Sequence, residues 1–297
     1  VVTATYLLES GQTVIRTYNV GAKQRVTIFA NDVVGDNGVG LRGKSFSTTI
    51  QSTAPIHVER AMYYTTGGRF WNVGHGSAGV SDPSPSWFVA EGHTGPFFDV
   101  YLLLANPTPN PVTATVRYLL PGGRSLTRSY PLARTSRKTL LVDQELLDLD
   151  PTLTETDVSA EITATGDIIV ERAMYWPYDF TQWYEAHASA GITATGVQWG
   201  LAEGEYGGSR AFDTYVLIAN PSSQNANVQV TLLRGAGLAP ITRTVLVDAN
   251  SRATVSAGEF VALGLQSGEK FGALVTSTNN VPIVVERALY WNGGGVF

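Results

Sequence analysis

Two short blocks carry the residue types of nucleophilic catalysis: His75-x-Ser77-x-Gly79 and, 112 residues later, His187-x-Ser189-x-Gly191. Residues two apart in an extended segment share a face, so each His could reach its Ser. A hydrolase needs more than this. A nucleophile elbow places Gly two residues before Ser at a strand-to-helix turn, whereas His stands there in both blocks. No other His recurs at matching positions, so a Ser-His-acid triad would have to use this one. A pair repeated together with its surroundings reads as a packing or hydrogen-bonding feature, and we expect no catalytic residues and no enzyme.

Acidic and aromatic side chains offer two further chemistries. Glu91 with Asp99, and Glu203 with Asp213, flank a loop in corresponding places and are the residues a calcium site would use. The competing reading makes each Asp a turn cap and each Glu a surface hydrogen-bond acceptor. Four His (57, 75, 93, 187) without any Cys give no zinc spacing, and no Asp-rich calcium loop occurs, so no cofactor is expected. The 6 Trp and 13 Tyr could stack on sugar rings. Trp71, Trp87, Trp183 and Trp199 recur at scaffold positions and read as core, which leaves Tyr178, Tyr184 and Tyr206, outside the repeat register, as candidate ligand contacts.

What positions all these residues is a repeat. Val58-Glu59-Arg60-Ala61-Met62-Tyr63 returns as Val170-Glu171-Arg172-Ala173-Met174-Tyr175 and as Val285-Glu286-Arg287-Ala288-Leu289-Tyr290, at offsets of 112 and 115 residues. Arg25, Arg137 and Arg252 each stand 34 residues before the repeated Glu59, Glu171 and Glu286. Because strand side chains alternate, Glu-Arg puts opposite charges on opposite faces, and whichever face is apolar buries a charge that needs a partner. The equal spacing predicts structural ion pairs Arg25–Glu59, Arg137–Glu171 and Arg252–Glu286. A second block, Trp-x-x-Ala-Glu-Gly from Trp87 and Trp199, leads to Tyr-x-Leu-x-Ala-Asn-Pro at Tyr101 and Tyr215.

These offsets divide the chain into residues 1–83, 84–195 and 196–297, with only the middle copy complete. The first copy lacks its Trp-initiated opening, and the third stops one position before its expected Trp. The expectation is therefore a segment of a longer tandem array.

Strand-like runs fall at 113–120, 126–132, 138–142, 158–165, 168–176, 199–202 and 213–219, with Pro121-Gly122-Gly123 as a hairpin turn and helical turns at 143–148 and 258–263. Asn106-Pro107 and Asn220-Pro221 end their strands, since Pro removes a ladder donor. Seven or so strands in about 112 residues predict an all-β protein of tandem immunoglobulin-like or fibronectin-like antiparallel sandwiches, with a barrel as the alternative. Taken as a set, the motifs resemble tandem β-sandwich repeats found near the C-termini of large secreted or surface-associated bacterial proteins, a family with no assigned biochemical role. The resemblance implies the same fold and an extracellular or cell-surface location.

Composition agrees with strands: charged residues make up 15% of the chain, and 31 glycines accompany no cysteine. The net charge of −5 comes from 16 Arg, 4 Lys and 25 acidic residues, 13 of the last within 85–196, so no basic footprint for nucleic acid or anionic membrane exists. No apolar run is long enough to insert in a membrane. The expected function is a non-catalytic structural or adhesive module: a stalk, surface fibre or spacer. The alternative is a carbohydrate-binding accessory module of a secreted hydrolase or peptidase. Expected partners are other copies of the repeat, neighbouring chains joined head to tail, or polysaccharide.

Overall fold

The computed structural model describes residues 1–66, 69–176, 183–235 and 237–292. The first unit holds β1 (Val2–Leu8), β2 (Thr13–Tyr18), β3 (Phe46–Ser52), β4 (Glu59–Thr66) and β5 (Arg69–Ala78). The second holds β6 (Ser84–Val89), β7 (His93–Thr94), β8 (Asp99–Asn106), β9 (Val112–Leu119), β10 (Ser125–Leu132), β11 (Ser136–Leu141), helix α1 (Val142–Leu149), β12 (Thr156–Asp157), β13 (Ser159–Trp176) and β14 (Glu185–Ala190). The third holds β15 (Gln198–Leu201), β16 (Glu205–Tyr206), β17 (Asp213–Asn220), β18 (Ala226–Arg234), β19 (Ile241–Val247), β20 (Ser251–Ser256), a 3₁₀ turn (Ala257–Leu263), β21 (Glu269–Ser277) and β22 (Val284–Tyr290). The fold is all-β, every ladder between these strands is antiparallel, and the two helical turns fall where the sequence puts them. No helix among the described residues is long and apolar enough to cross a membrane.

The middle unit is a sandwich of two sheets, β10-β9-β13-β6 and β11-β8-β13-β14. Both contain β13. Its first half pairs β9 and β6, and its second half pairs β8 and β14. The sequence runs 158–165 and 168–176 therefore form one 18-residue strand, whose register against β6 slips between Thr163 and Ile168, around Gly166. In the third unit the same halves are separate strands, β21 in the sheet β15-β21-β18-β19 and β22 in β20-β17-β22. The first unit keeps β2-β1-β3 and the β4-β5 hairpin.

Alternation fills the cores. In β9 the buried residues Val112, Ala114, Val116 and Tyr118 point inward between exposed or half-exposed neighbours, and they meet Leu102, Leu104, Ile162, Val170 and Trp87. Burying side chains of this size stabilises by about 1.5–3 kcal/mol each before conformational costs. Trp87 is 1% exposed, and its indole N–H donates to the Ser84 carbonyl at 2.8 Å and the Ile168 carbonyl at 3.0 Å. Trp199 repeats this clip with the Gly196 and Ile283 carbonyls at 3.2 and 3.1 Å. The recurring Trp thus ties the opening of the second and third units to the backbone of β13 and to Ile283, the residue before β22. Tyr118 and Tyr130 bring their hydroxyls within 3.0 Å in the core, as Tyr6 and Tyr18 do at 3.3 Å.

The Asn-Pro motif has a structural task beyond stopping a strand. Asn220 is fully buried, and its amide nitrogen donates to the carbonyls of Gln224, Val247 and Asp248 at 2.8, 3.1 and 2.8 Å, while its Oδ1 accepts the Ser222 N–H. Asn106 does the same for Asn110, Ala133 and Thr108. Removing the side chain orphans several backbone groups away from water, each costing about 1–3 kcal/mol. Asn220→Ala is accordingly expected to lower stability by about 2–3 kcal/mol in urea denaturation, whereas the exposed Asn225→Ala, with fewer bonds at stake, should cost under about 1 kcal/mol.

Residues 19–29 of the first unit, Arg25 included, form no strand. Their counterpart β11 exists by pairing with β8, and no described strand of the first unit takes the place of β8. A strand without a ladder partner leaves its backbone groups to water, so the phrase around Arg25 stays irregular.

Candidate functional site: the joint between units

The signature residues converge where one unit meets the next. Along β13 the even residues Val170, Met174 and Trp176 enter the sandwich core, and Arg172 lies on the same face. That arginine is 2% exposed. It lies 2.5 Å from Glu91 Oε2, donates to Ser189 Oγ at 3.1 Å, stands 3.4 Å from His187 Nδ1, and is 3.6 Å from Glu286 of the third unit. Glu286 in turn accepts the backbone N–H of Glu91 at 3.1 Å. One guanidinium is therefore shared by carboxylates from two units.

The joint between the first two units is built the same way. Arg60 donates to Ser77 Oγ at 3.1 Å and lies 3.2 Å from Glu171 Oε2, while Ser77 donates to Glu171 Oε1 at 3.2 Å. His75 meets the Tyr175 hydroxyl at 3.3 Å. Aromatic contacts correspond as well: Tyr64 on Tyr175 and Trp176 on Tyr290, at 5.9 and 5.4 Å between centroids, and Tyr101 on Tyr175 and Tyr215 on Tyr290, at 5.7 and 5.8 Å. An apolar patch seals the second joint, where Phe88, Ala90 and Leu119 pack against Leu217, Ala219, Val284 and Ala288.

The predicted ion pairs need correction, because the real partners lie across the joints. Arg137 pairs with Glu9 of the first unit at 3.0 Å, and Thr139 donates to the same carboxylate at 2.8 Å. Arg252 pairs with Asp157 of the second unit, to which Thr254 also donates, at 2.7 Å. Glu171 and Glu286 are taken by Arg60 and Arg172, and they act on Arg137 and Arg252 only as neighbouring charges. Arg25 bonds Thr27 at 3.4 Å, and among the described residues neither it nor Glu59 forms an ion pair. A constant spacing of 34 residues reflects two residues serving one joint, each bonded to a different residue of the preceding unit.

Three of the four proposed metal ligands are engaged by protein groups. Glu91 is held by Arg172, and Glu203 lies 2.6 Å from Arg287. Asp99 accepts the Trp183 indole N–H at 2.5 Å, and Asp213 keeps a buried Oδ1 without a hydrogen bond. Burial raises the carboxyls of both Asp99 and Asp213. Among the described residues, no three His, Cys, Asp or Glu side chains are grouped to hold a metal ion. Of the candidate ligand contacts, Tyr206 packs half-buried against the third core, and Tyr184 is half-buried with its N–H on the Trp176 carbonyl. Tyr178 and the side chain of Trp71 lie outside the described residues.

Electrostatics distinguish the groups at the joints. Burial alone would raise Glu91, but Arg172, His187 and Tyr290 outweigh it and hold the carboxyl at about 2. Burial does raise Glu286, with Glu91 adding to it and Arg172 opposing. His75 is pushed down to about 4 by burial, with Arg60 and His187 contributing. His93, bonded to Asp157 at 2.7 Å, is raised chiefly by that bond. The His-x-Ser blocks therefore serve as hydrogen-bond partners of an arginine and a tyrosine. Sequence reasoning missed Glu9, Arg60, Asp157 and Arg172 as joint residues; for Arg60 and Arg172 the signal was present in the repeated Glu-Arg dipeptide.

No protein-family model matches the chain, and no curated protein matches it. Among solved structures it is similar to Thermotoga maritima 1070, at 9% identity and TM-score 0.33 over 38% of this chain and 97% of that one. It is also similar to the Anabaena sensory rhodopsin transducer, at 20% identity and TM-score 0.28 over 33% and 99%. The major pilin from Streptococcus pyogenes follows at 10% identity and TM-score 0.18 over 65% and 82%. At these scores the likenesses carry no argument about fold or function.

Proposed function

We propose that this chain is a non-catalytic structural module in which successive β-sandwiches are locked into a fixed relative placement, as a stalk, spacer or surface fibre requires. The observation that carries the reading is the correspondence of the two joints: an arginine bonded to a serine of its own unit and facing a glutamate of the next, at Arg60-Ser77-Glu171 and again at Arg172-Ser189-Glu286. Titratable groups that would suit catalysis are consumed in these contacts. An extracellular or cell-surface setting, implied by the family resemblance, belongs to the same proposal.

Rigidity is the testable property. Spin labels at the exposed positions Thr48 in the first unit and Leu246 in the third should report one narrow distance by pulsed electron resonance. Arg60→Ala should broaden that distribution without unfolding the third unit. A broad distribution in the unmodified chain, of the width expected for units on flexible linkers, would overturn the reading.

A further inference from the structure

The two joints are not sealed alike. At the second, the turn after β9 closes onto β20: Ser251 Oγ donates to the Leu120 carbonyl at 2.7 Å and accepts the Gly123 N–H at 3.1 Å. At the first, the corresponding Ser136 donates instead to the Ala133 carbonyl of its own unit, at 2.7 Å. A groove of about 250 Å³ remains there, walled by Glu9 of the first unit and by Leu132, Ala133, Ser136, Arg137 and Thr139 of the second. Every wall is internal to the chain, with residue 1 at the far end of β1, about 20 Å from Glu9.

The groove adjoins an arginine short of acceptors. Arg172 has Glu91, Ser189 and His187 about its guanidinium, and Arg252 has Asp157 and Ser159. Arg137, with its side chain 6% exposed, bonds Glu9 alone, through Nη1 at 3.0 Å, and its Nε is buried without a partner. Glu9 is itself 49% exposed and also accepts from Thr139, so it compensates the buried charge only in part. Buried guanidinium donors call for further oxygen atoms. The same stretch departs from the repeat. Arg134, exposed in the turn between β10 and β11, stands where the other copies have Ala22 and Ala249, and Lys138 stands where they have Val26 and Ala253. Lys138 Nζ lies 6.0 Å from the Tyr130 ring, and among the described residues neither cation forms an ion pair. Three basic side chains thus surround the one carboxylate of the groove. Features repeated with the scaffold serve the joints, whereas this charge cluster belongs to one copy and the joints do not require it.

We propose that this groove binds a carboxylate-bearing ligand about one sugar ring in size, such as a uronate residue, whose carboxylate takes up the unused donors of Arg137 while Arg134 and Lys138 supply attracting charge. A planar guanidinium matches a carboxylate two bonds at a time. The volume suits a single ring or a small polycarboxylate and not a folded partner. Among the described residues no aromatic side chain lines the groove, which removes the stacking platform a nucleotide would use. Ligand and Glu9 compete for one arginine.

Calorimetric titration of the full chain with trigalacturonate, citrate and neutral maltotriose tests the proposal. One site should fill with an acidic ligand, more weakly as salt is raised, and maltotriose should give no heat. Citrate binding as tightly as trigalacturonate identifies the carboxylate alone as the ligand, and a preference for the trisaccharide adds the sugar ring to it. Arg137→Gln should abolish binding, and Arg134→Glu should weaken it about fivefold. Glu9→Gln should tighten binding about threefold, because it frees Arg137 from its competitor. Arg134 and Glu9 are exposed, so their variants should fold even where Arg137→Gln does not. Absence of binding by both acids, equal binding of maltotriose, or an affinity unmoved by Arg134→Glu and Glu9→Gln would overturn the proposal.

Discussion

Arg172→Leu is expected to destabilise the second and third units by about 3–5 kcal/mol, the cost of leaving buried charge without its partner. The guanidinium is the common partner of Glu91, 4% exposed, and Glu286, 11% exposed, and it also holds Ser189. Leucine fills part of the volume but strips the buried Glu91 carboxylate of its arginine, leaving it bonded to the Tyr290 hydroxyl and beside His187. Urea denaturation followed by tryptophan fluorescence measures the loss, and adding Glu91→Gln and Glu286→Gln to Arg172→Leu should recover much of it. A loss below about 1 kcal/mol would mean that the joint is held by its apolar patch alone.

The two glutamates on that arginine should respond oppositely to pH and to neutralisation. Glu91 has a folded value of about 2, below the ordinary 4.5. Its ionised form therefore stabilises the fold above the unfolded value, and the contribution is lost as pH falls from about 5 toward 2. The shift corresponds to about 3 kcal/mol, so Glu91→Gln should weaken the fold by roughly that amount at pH 7 and flatten its acid limb. Glu286 is raised by burial. For it the neutral form is favoured in the folded state, so its contribution is present below the unfolded value and fades as pH rises through the folded one. Glu286→Gln should consequently leave stability at pH 7 unchanged or slightly increased. Thermal unfolding of both variants between pH 3 and 8 decides the matter: similar losses in the two would refute the division of labour.

The all-β class, the hairpin at Pro121-Gly122-Gly123 and the helical turns were legible in the sequence because period-two alternation and turn residues act locally. Gly122 and Gly123, at φ of 74° and 77°, adopt the left-handed conformation that the hairpin needs and glycine supplies. The fusion of two runs into β13 was not legible. Gly166-Asp167 carries an ordinary turn signal, and only pairing with four neighbouring strands keeps the backbone extended through it. The same limit explains the ion pairs. Equal spacing of Arg137 and Glu171 identifies residues under one constraint but not which unit supplies the partner. Glu9 and Asp157 have no common motif, since Glu9 lies just past a strand end and Asp157 in a two-residue strand. Their role follows only from where neighbouring units come to rest.

A backbone shared by two sheets changes how the middle sandwich can come apart. Because the halves of β13 are one extended segment, loosening β8 or β14 disturbs the same strand that anchors β9 and β6. Partial opening of one sheet thus carries a penalty in the other, and the unit has few cheap sub-global excursions. The flanking units, whose corresponding halves are separate strands, lack this coupling and are expected to open before the central one as denaturant is raised.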